Sequence, residues 1–344
     1  MNFLRIEATY AVIKFLLLLL QGVLAVIKKS CFFFKMTSKN TAPRWLIVFA
    51  FFNIYIIWGS TYLAVAYGLK GFPPFILVGL RYFFAGIIIL AWCLLKGEKL
   101  PAKKFIYKHA LSGSLMLVGG TGMIAWAEQY ISSGQAAVLI ATEPLMFLLI
   151  DRKRWSEYFS NKYILSGLLI GFTGIFLFLK LGVASTTTSP MATLAAVITL
   201  LSAVLWVLGS LITKESKGRS SSVMNAGVQL LAAAAVCGII ALCKGEYTEF
   251  SLKNIGLDAW GGLVFLIVMG SLVAYISFVW LISIKPPAIV STHTYVNPVV
   301  AVVLGWLLMH ENVNRAQVIS LFIILLGILL VNIPGYRSRK KAVA

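Results

Sequence analysis

The sequence predicts an all-α polytopic membrane protein, with ten transmembrane helices arranged as two inverted five-helix repeats. Three observations carry that prediction: long apolar runs, lysines and arginines crowded to one side, and a match between the two halves of the chain. Of the 344 residues 60% are hydrophobic and 12% charged, with a mean hydropathy of +0.92. A soluble domain carries about 25% charged residues and can cover itself with them; this chain cannot. Its apolar runs are each long enough to cross about 30 Å of hydrocarbon as a helix. The alternation of apolar and polar residues that marks a membrane β-barrel is missing.

Taken in order, the runs are 45–67, 72–95, 107–127, 131–150, 161–180, 190–213, 221–243, 257–283, 287–308 and 315–333. Twenty Lys and Arg fall in alternate connecting stretches: 35–44, 96–108, 152–162, 214–219, 285 and 337–341. Only five lie on the other side: Lys70, Lys180, Lys244, Lys253 and Arg315. Basic loops stay in the cytoplasm, so both termini of the ten-helix unit are expected there. The units read as 36–180 and 191–344, joined by a linker at 181–190. Residues 1–35 form an apolar extension. Its run AVIKFLLLLLQGVLAVI is either an eleventh helix or signal anchor, or lies ahead of a unit that begins at Met36.

The halves repeat one another. Trp58 recurs as Trp206, and Lys96-Gly97-Glu98 as Lys244-Gly245-Glu246, each 148 residues on. Pro144 recurs as Pro298, Glu157 as Glu311 and Ser166 as Ser320, each 154 residues on. Two offsets that differ by six residues describe a duplication with one insertion. An odd number of spans per half turns the second copy upside down, as in many secondary transporters with a site at the bilayer midplane.

Other classes lose support. The net charge of +19 lies in short loops and sets orientation, so nucleic acid is not an expected partner. Cys31, Cys93, Cys237 and Cys243 form no CxxC pair, and His109, His293 and His310 are scattered. No metal site, disulfide framework or cofactor is expected. P-loop, GxSxG and HExxH signatures are absent.

WGSTYLAVAYGL and GFPPFILVGLRYFFAG, then WAEQYISSGQAAVLIATEP, and later YVNPVVAVVLGWLLMHE resemble segments of the EamA family in the drug/metabolite transporter superfamily. The resemblance spans about residues 40–335. It implies ten helices in two inverted halves, and export or exchange of small organic solutes across an inner membrane without ATP hydrolysis. A channel and an intramembrane enzyme are the rival classes. The enzyme would need a nucleophile–base pair or metal cluster, and no such grouping is evident.

Certain polar residues then stand out. Glu143 lies roughly 16 Å into its span at 1.5 Å per residue, where a carboxylate costs about 2.5–3.5 kcal/mol unless a polar cavity receives it. Pro144 beside it would free the carbonyl of Ile140, and Asn297-Pro298 would free that of Thr294 in the inverted half. These pairs are expected to face one another as substrate-binding and gating elements; the bland alternative is a braced kink. Glu128 stands at a helix end, as a solvated terminus or an entrance gate. Arg81, inside the second span opposite Gln229 in the repeat, is either ion-paired or in contact with substrate. His293 shares a helix face with Asn297 and is a candidate for proton coupling or for packing. Trp58, Tyr62, Trp126, Trp280 and Tyr295 are candidate cavity aromatics, or interface residues. Gly167 and Gly171 form a GxxxG that serves either helix packing or a homodimer.

Overall fold

The computed structural model describes residues 43–182, 189–216, 218, 220–252, 255–285, 287–309 and 315–341. The candidate leader helix, most of the 181–190 linker and Glu311 lie outside these residues. All regular structure among them is helical. Seven helices are long and apolar enough to cross a bilayer: α1 (Arg44–Gly68), α2 (Pro74–Leu95), α3 (Lys103–Ala127), α4 (Ser133–Ile150), α6 (Pro190–Glu215), α7 (Ser222–Cys243) and α8 (Leu257–Ile284). Between and after them come α5 (Lys162–Gly182), α9 (Pro287–Val290 followed by His293–Met309) and α10 (Arg315–Lys341).

Local chemistry sets the ends. Proline opens α2 and α6, where a missing N–H costs nothing. Ser132 and Gln135 form a capping box on α4. Ser189 and Ser221 accept from backbone amides to cap α6 and α7. Gly97 and Gly245 follow α2 and α7 with φ of 75° and 70°, a conformation glycine adopts without a Cβ penalty. The Lys-Gly-Glu repeat is therefore a pair of equivalent helix stops.

Those stops also aim the adjoining glutamates. The Glu246 carboxylate accepts from the backbone N–H of Phe75 (3.4 Å) and Ile76 (3.0 Å) at the start of α2, and Glu98 accepts from the Ser221 hydroxyl at the start of α7 (2.7 Å). Each glutamate thus fastens the partner helix at its positive end. α2 runs along α7 and α5 along α10, while α1 packs on α8 and α9, and α3 and α4 pack on α6. The GxxxG works within the chain: a Cβ on Gly327 of α10 would lie 2.6 Å from the Gly167 carbonyl and 2.4 Å from the Gly171 nitrogen.

Three helices depart from α geometry where they meet the middle of the bundle. π-helical segments occupy Asn53–Ile57 in α1, Ser114–Gly122 in α3 and Leu266–Tyr275 in α8. Such segments loosen carbonyls from their usual partners. Side chains from other helices take them up: Tyr82 donates to Leu117 (3.0 Å) and Trp58 to Gly270 (3.2 Å). α4 and α9 are interrupted at residues 141–142 and 291–292.

Candidate functional site

The π segments of α3 and α8, the part of α1 that follows its π segment, and the two helix breaks surround a cavity whose empty volume, counting the open space at its mouth, is about 680 Å³. It runs from mid-bundle toward the ends of α1 and α3, where Val65 and the half-buried Glu128 line it. Seven of the sequence candidates meet there: Trp58, Tyr62, Arg81, Glu128, Glu143, His293 and Asn297.

Glu143 begins the second half of α4 and is 2% exposed, with Oε1 lacking a hydrogen-bond partner. Arg81 is 3% exposed. Its Nε donates to Ser271 Oγ (2.8 Å), and Nη1 has no acceptor. Gly270 makes room for the guanidinium, since a Cβ there would lie 2.8 Å from Nη2. Among the described residues no carboxylate pairs with Arg81; the ion pairs present are Lys70–Asp258 and Lys153–Glu215.

Asn297 acts on backbone as well as cavity. With its amide assigned by the hydrogen-bond network, Nδ2 donates to the carbonyls of Tyr55 (2.9 Å), Ile54 (3.3 Å) and His293 (2.9 Å). It thereby satisfies the π segment of α1. The other side of the amide is 3.5 Å from His293 Nδ1. His293 Nε2 has no partner, and its ring stands edge-on to Trp58 at 4.8 Å.

The deep end is closed. Trp58, Trp206 and Phe278 pack together edge-to-face or tilted, with ring centroids 5.1–5.4 Å apart. Beyond them Asn53 donates to Ser277 (3.2 Å), and the Tyr55 and Thr292 hydroxyls bond at 2.7 Å. Lys214 donates to the carbonyls of Ile282 (2.7 Å) and Lys285 (2.9 Å) at the end of α8. A lysine at a helix C-terminus also complements its dipole.

Five candidates fall elsewhere. Trp126 is half-buried beside the bundle end, with Lys244 5.4 Å over its ring. Trp280 and Tyr295 are buried but are not among the lining residues. The prolines are not equivalent. Pro144 falls in the first turn of Glu143–Ile150, where helices tolerate proline, whereas Pro298 sits inside the continuous helix His293–Met309. The two breaks lie 150 residues apart, so they match Glu143 with His293 rather than with Asn297. Reading from the prolines misses this because α9 breaks six residues before its proline.

The sequence also missed part of the wall. Thr61, Thr121, Ser202, Trp206 and Tyr275 line the cavity. Trp206 carried a signal as the repeat of Trp58, while the others are ordinary span residues made significant only by the packing.

Known proteins agree with this architecture. The EamA-like transporter family matches residues 44–180 and 193–333, one copy in each half. The chain is 34% identical over 295 residues to an inner membrane transporter of Escherichia coli K12, YedA, covering 86% of this chain and 93% of that one. It is 25% identical to the protein PecM of Dickeya dadantii, over 83% of this chain and 92% of the relative. A solved crystal structure superposes with a TM-score of 0.64 at 16% identity, over 86% of this chain and 99% of the other, a likeness of fold alone. This chain belongs to the EamA-like transporter family, whose members are transporters and not enzymes.

Proposed function

We propose that the protein is a secondary active transporter that exports small organic solutes across the inner membrane by alternating access around the central cavity. The observation that carries this is the placement of Arg81 and Glu143: both are buried at mid-bundle, both line one cavity, and each has a polar atom left without a partner. Groups so costly in a bilayer ordinarily mark a solute path. The aromatic cluster that ends the cavity favours a gated carrier over an open channel.

An arrangement of ten spans in inverted halves is supported by the packing. α2 with α7 and α5 with α10 are self-matching pairs under exchange of the halves, and α1 on α8 is matched by α6 on α3. The glycine stops after α2 and α7, and the π segments in α3 and α8, follow the same exchange. With basic loops in the cytoplasm, the termini of the unit lie inside and the cavity opens outward, with Glu128 at its rim. Pro144 and Pro298 then flank the moving parts as gate elements, and Glu143 with His293 supplies groups able to exchange a proton with the solute path.

The test is solute flux in proteoliposomes loaded with a metabolite extract and read by mass spectrometry. Saturable flux of one or a few solutes is expected. Glu143→Gln should reach the membrane in normal amounts yet lose about tenfold or more of that flux, the scale of one charge-assisted contact. Unchanged flux and apparent affinity in Glu143→Gln would reduce this carboxylate to a brace of the α4 break.

A further inference from the structure

We infer that the central cavity is selective for organic acids carrying a single anionic group, with Arg81 as the anion subsite and the aromatic wall holding the rest of the solute. This rests on the carrier function proposed above and adds the chemical class of the cargo.

The guanidinium is fixed at the cavity wall from two sides. Ser271 holds Nε at 2.8 Å, and the missing side chain of Gly270 leaves room for Nη2. Thr61 approaches the same glycine, with its methyl 3.2 Å from the place a Cβ would take. Arginine does not lose its proton in proteins, so this is a permanent charge, and a buried charge without a partner is disfavoured. No carboxylate pairs with it among the described residues, and Nη1 has no acceptor. The counter-charge has to arrive with the solute, and a carboxylate suits the fork of N–H donors.

The remaining walls limit what else the solute carries. Trp58, Trp206, Tyr62 and Tyr275 line the space, and small-molecule sites hold their ligands mainly by apolar and aromatic contact. Glu128 and Glu143 face the same space and repel a second acidic group. A monoanion with an apolar or aromatic body meets Arg81 and the rings, whereas a dianion brings a second negative charge against Glu128 and Glu143.

The test uses the purified full chain in nanodiscs with three probes of similar shape: 3-phenylpropionate, its amide 3-phenylpropionamide, and the diacid phenylsuccinate. Tryptophan fluorescence and the ligand-induced rise in Tm report binding. The monoacid should bind about tenfold to a hundredfold more tightly than the amide, the range of one charge-assisted hydrogen bond, and more tightly than the diacid. Arg81→Gln should bring the acid down to the level of the amide without weakening the amide, and Arg81→Lys should retain part of the preference. Equal binding of acid and amide to the unaltered protein would overturn the anion subsite while leaving the carrier function standing. Diacid binding as tight as monoacid binding would overturn the single-charge selectivity. Failure of all three to bind would count against the cavity as a solute site and remove both.

Discussion

Positions 81 and 229 are the same place in the two halves, 148 residues apart on α2 and α7, and they are in opposite condition. Arg81 borders open space with one hydrogen bond and an idle nitrogen. Gln229 is 0% exposed and saturated. Its Nε2 donates to Ser112 (2.9 Å) and Thr213 (2.8 Å), and its Oε1 accepts from Tyr275 (2.9 Å). Gly113 of α3 presses on its backbone, so that a Cβ there would lie 2.6 Å from the Gln229 Cα. One copy of the fold is thus open around a charge, and the other is closed around an amide that ties α3, α6, α7 and α8 together. Both residues are polar and deeply placed; only the count of satisfied donors and acceptors separates a site from a clasp.

Making the halves alike should damage them unequally. Gln229→Arg places a permanent charge in a clasp with no carboxylate, and an uncompensated buried charge costs about 3–5 kcal/mol. A large fall in Tm and in folded yield is expected, measured by thermal unfolding in detergent. Gln229→Leu removes the amide and leaves the Tyr275 hydroxyl without its acceptor, while Ser112 still donates to the His109 carbonyl and Thr213 to Met116 Sδ. About 1–3 kcal/mol of destabilisation is expected, the cost of one stranded buried group. The reverse exchange, Arg81→Gln, should change stability by less than about 1 kcal/mol, because the lost hydrogen bond to Ser271 is offset by removal of a buried charge that has no carboxylate partner. Its loss should appear in flux instead. A Tm that falls as far in Arg81→Gln as in Gln229→Arg would mean that both positions are structural.

Much of this was legible in the sequence, and the parts that were not share a cause. Apolar runs gave the spans because hydrocarbon thickness fixes their length; α5 and α10 were found this way at 161–180 and 315–333, although α10 continues as helix to Lys341. Arg81 and Glu143 stood out because a charge in a span is rare. Tyr275 and Ser202 did not, since a tyrosine or serine in a helix has no meaning until its neighbours are known. The same holds for the π segments, which leave no mark in composition, and for Trp126 and Trp58. These are alike as letters, yet one sits beside Lys244 and the other at the cavity floor. Asn297 lines the cavity as its sequence position suggests, but the engagement of its amide with the carbonyls of α1 has no signal in the sequence.

Tyr275 belongs to both regions: its ring lines the cavity and its hydroxyl closes the clasp. Removing that hydroxyl by Tyr275→Phe keeps the wall and leaves Gln229 Oε1 without its donor. About 1 kcal/mol of stability should be lost, the ordinary worth of one buried hydrogen bond, making this the smallest loss expected at the clasp. Ser112 and Thr213 still hold the Gln229 amide, so the clasp should loosen without opening. Hydrogen exchange is expected to quicken in the α6 stretch 207–216, which carries Thr213, while the Arg81-dependent preference for acid over amide stays intact. If the clasp is the gate opposite the cavity, flux should also change, because the closed side then opens more readily. Faster exchange together with a lost preference would show that Tyr275 holds Arg81 in place, and the two regions would have to be treated as one.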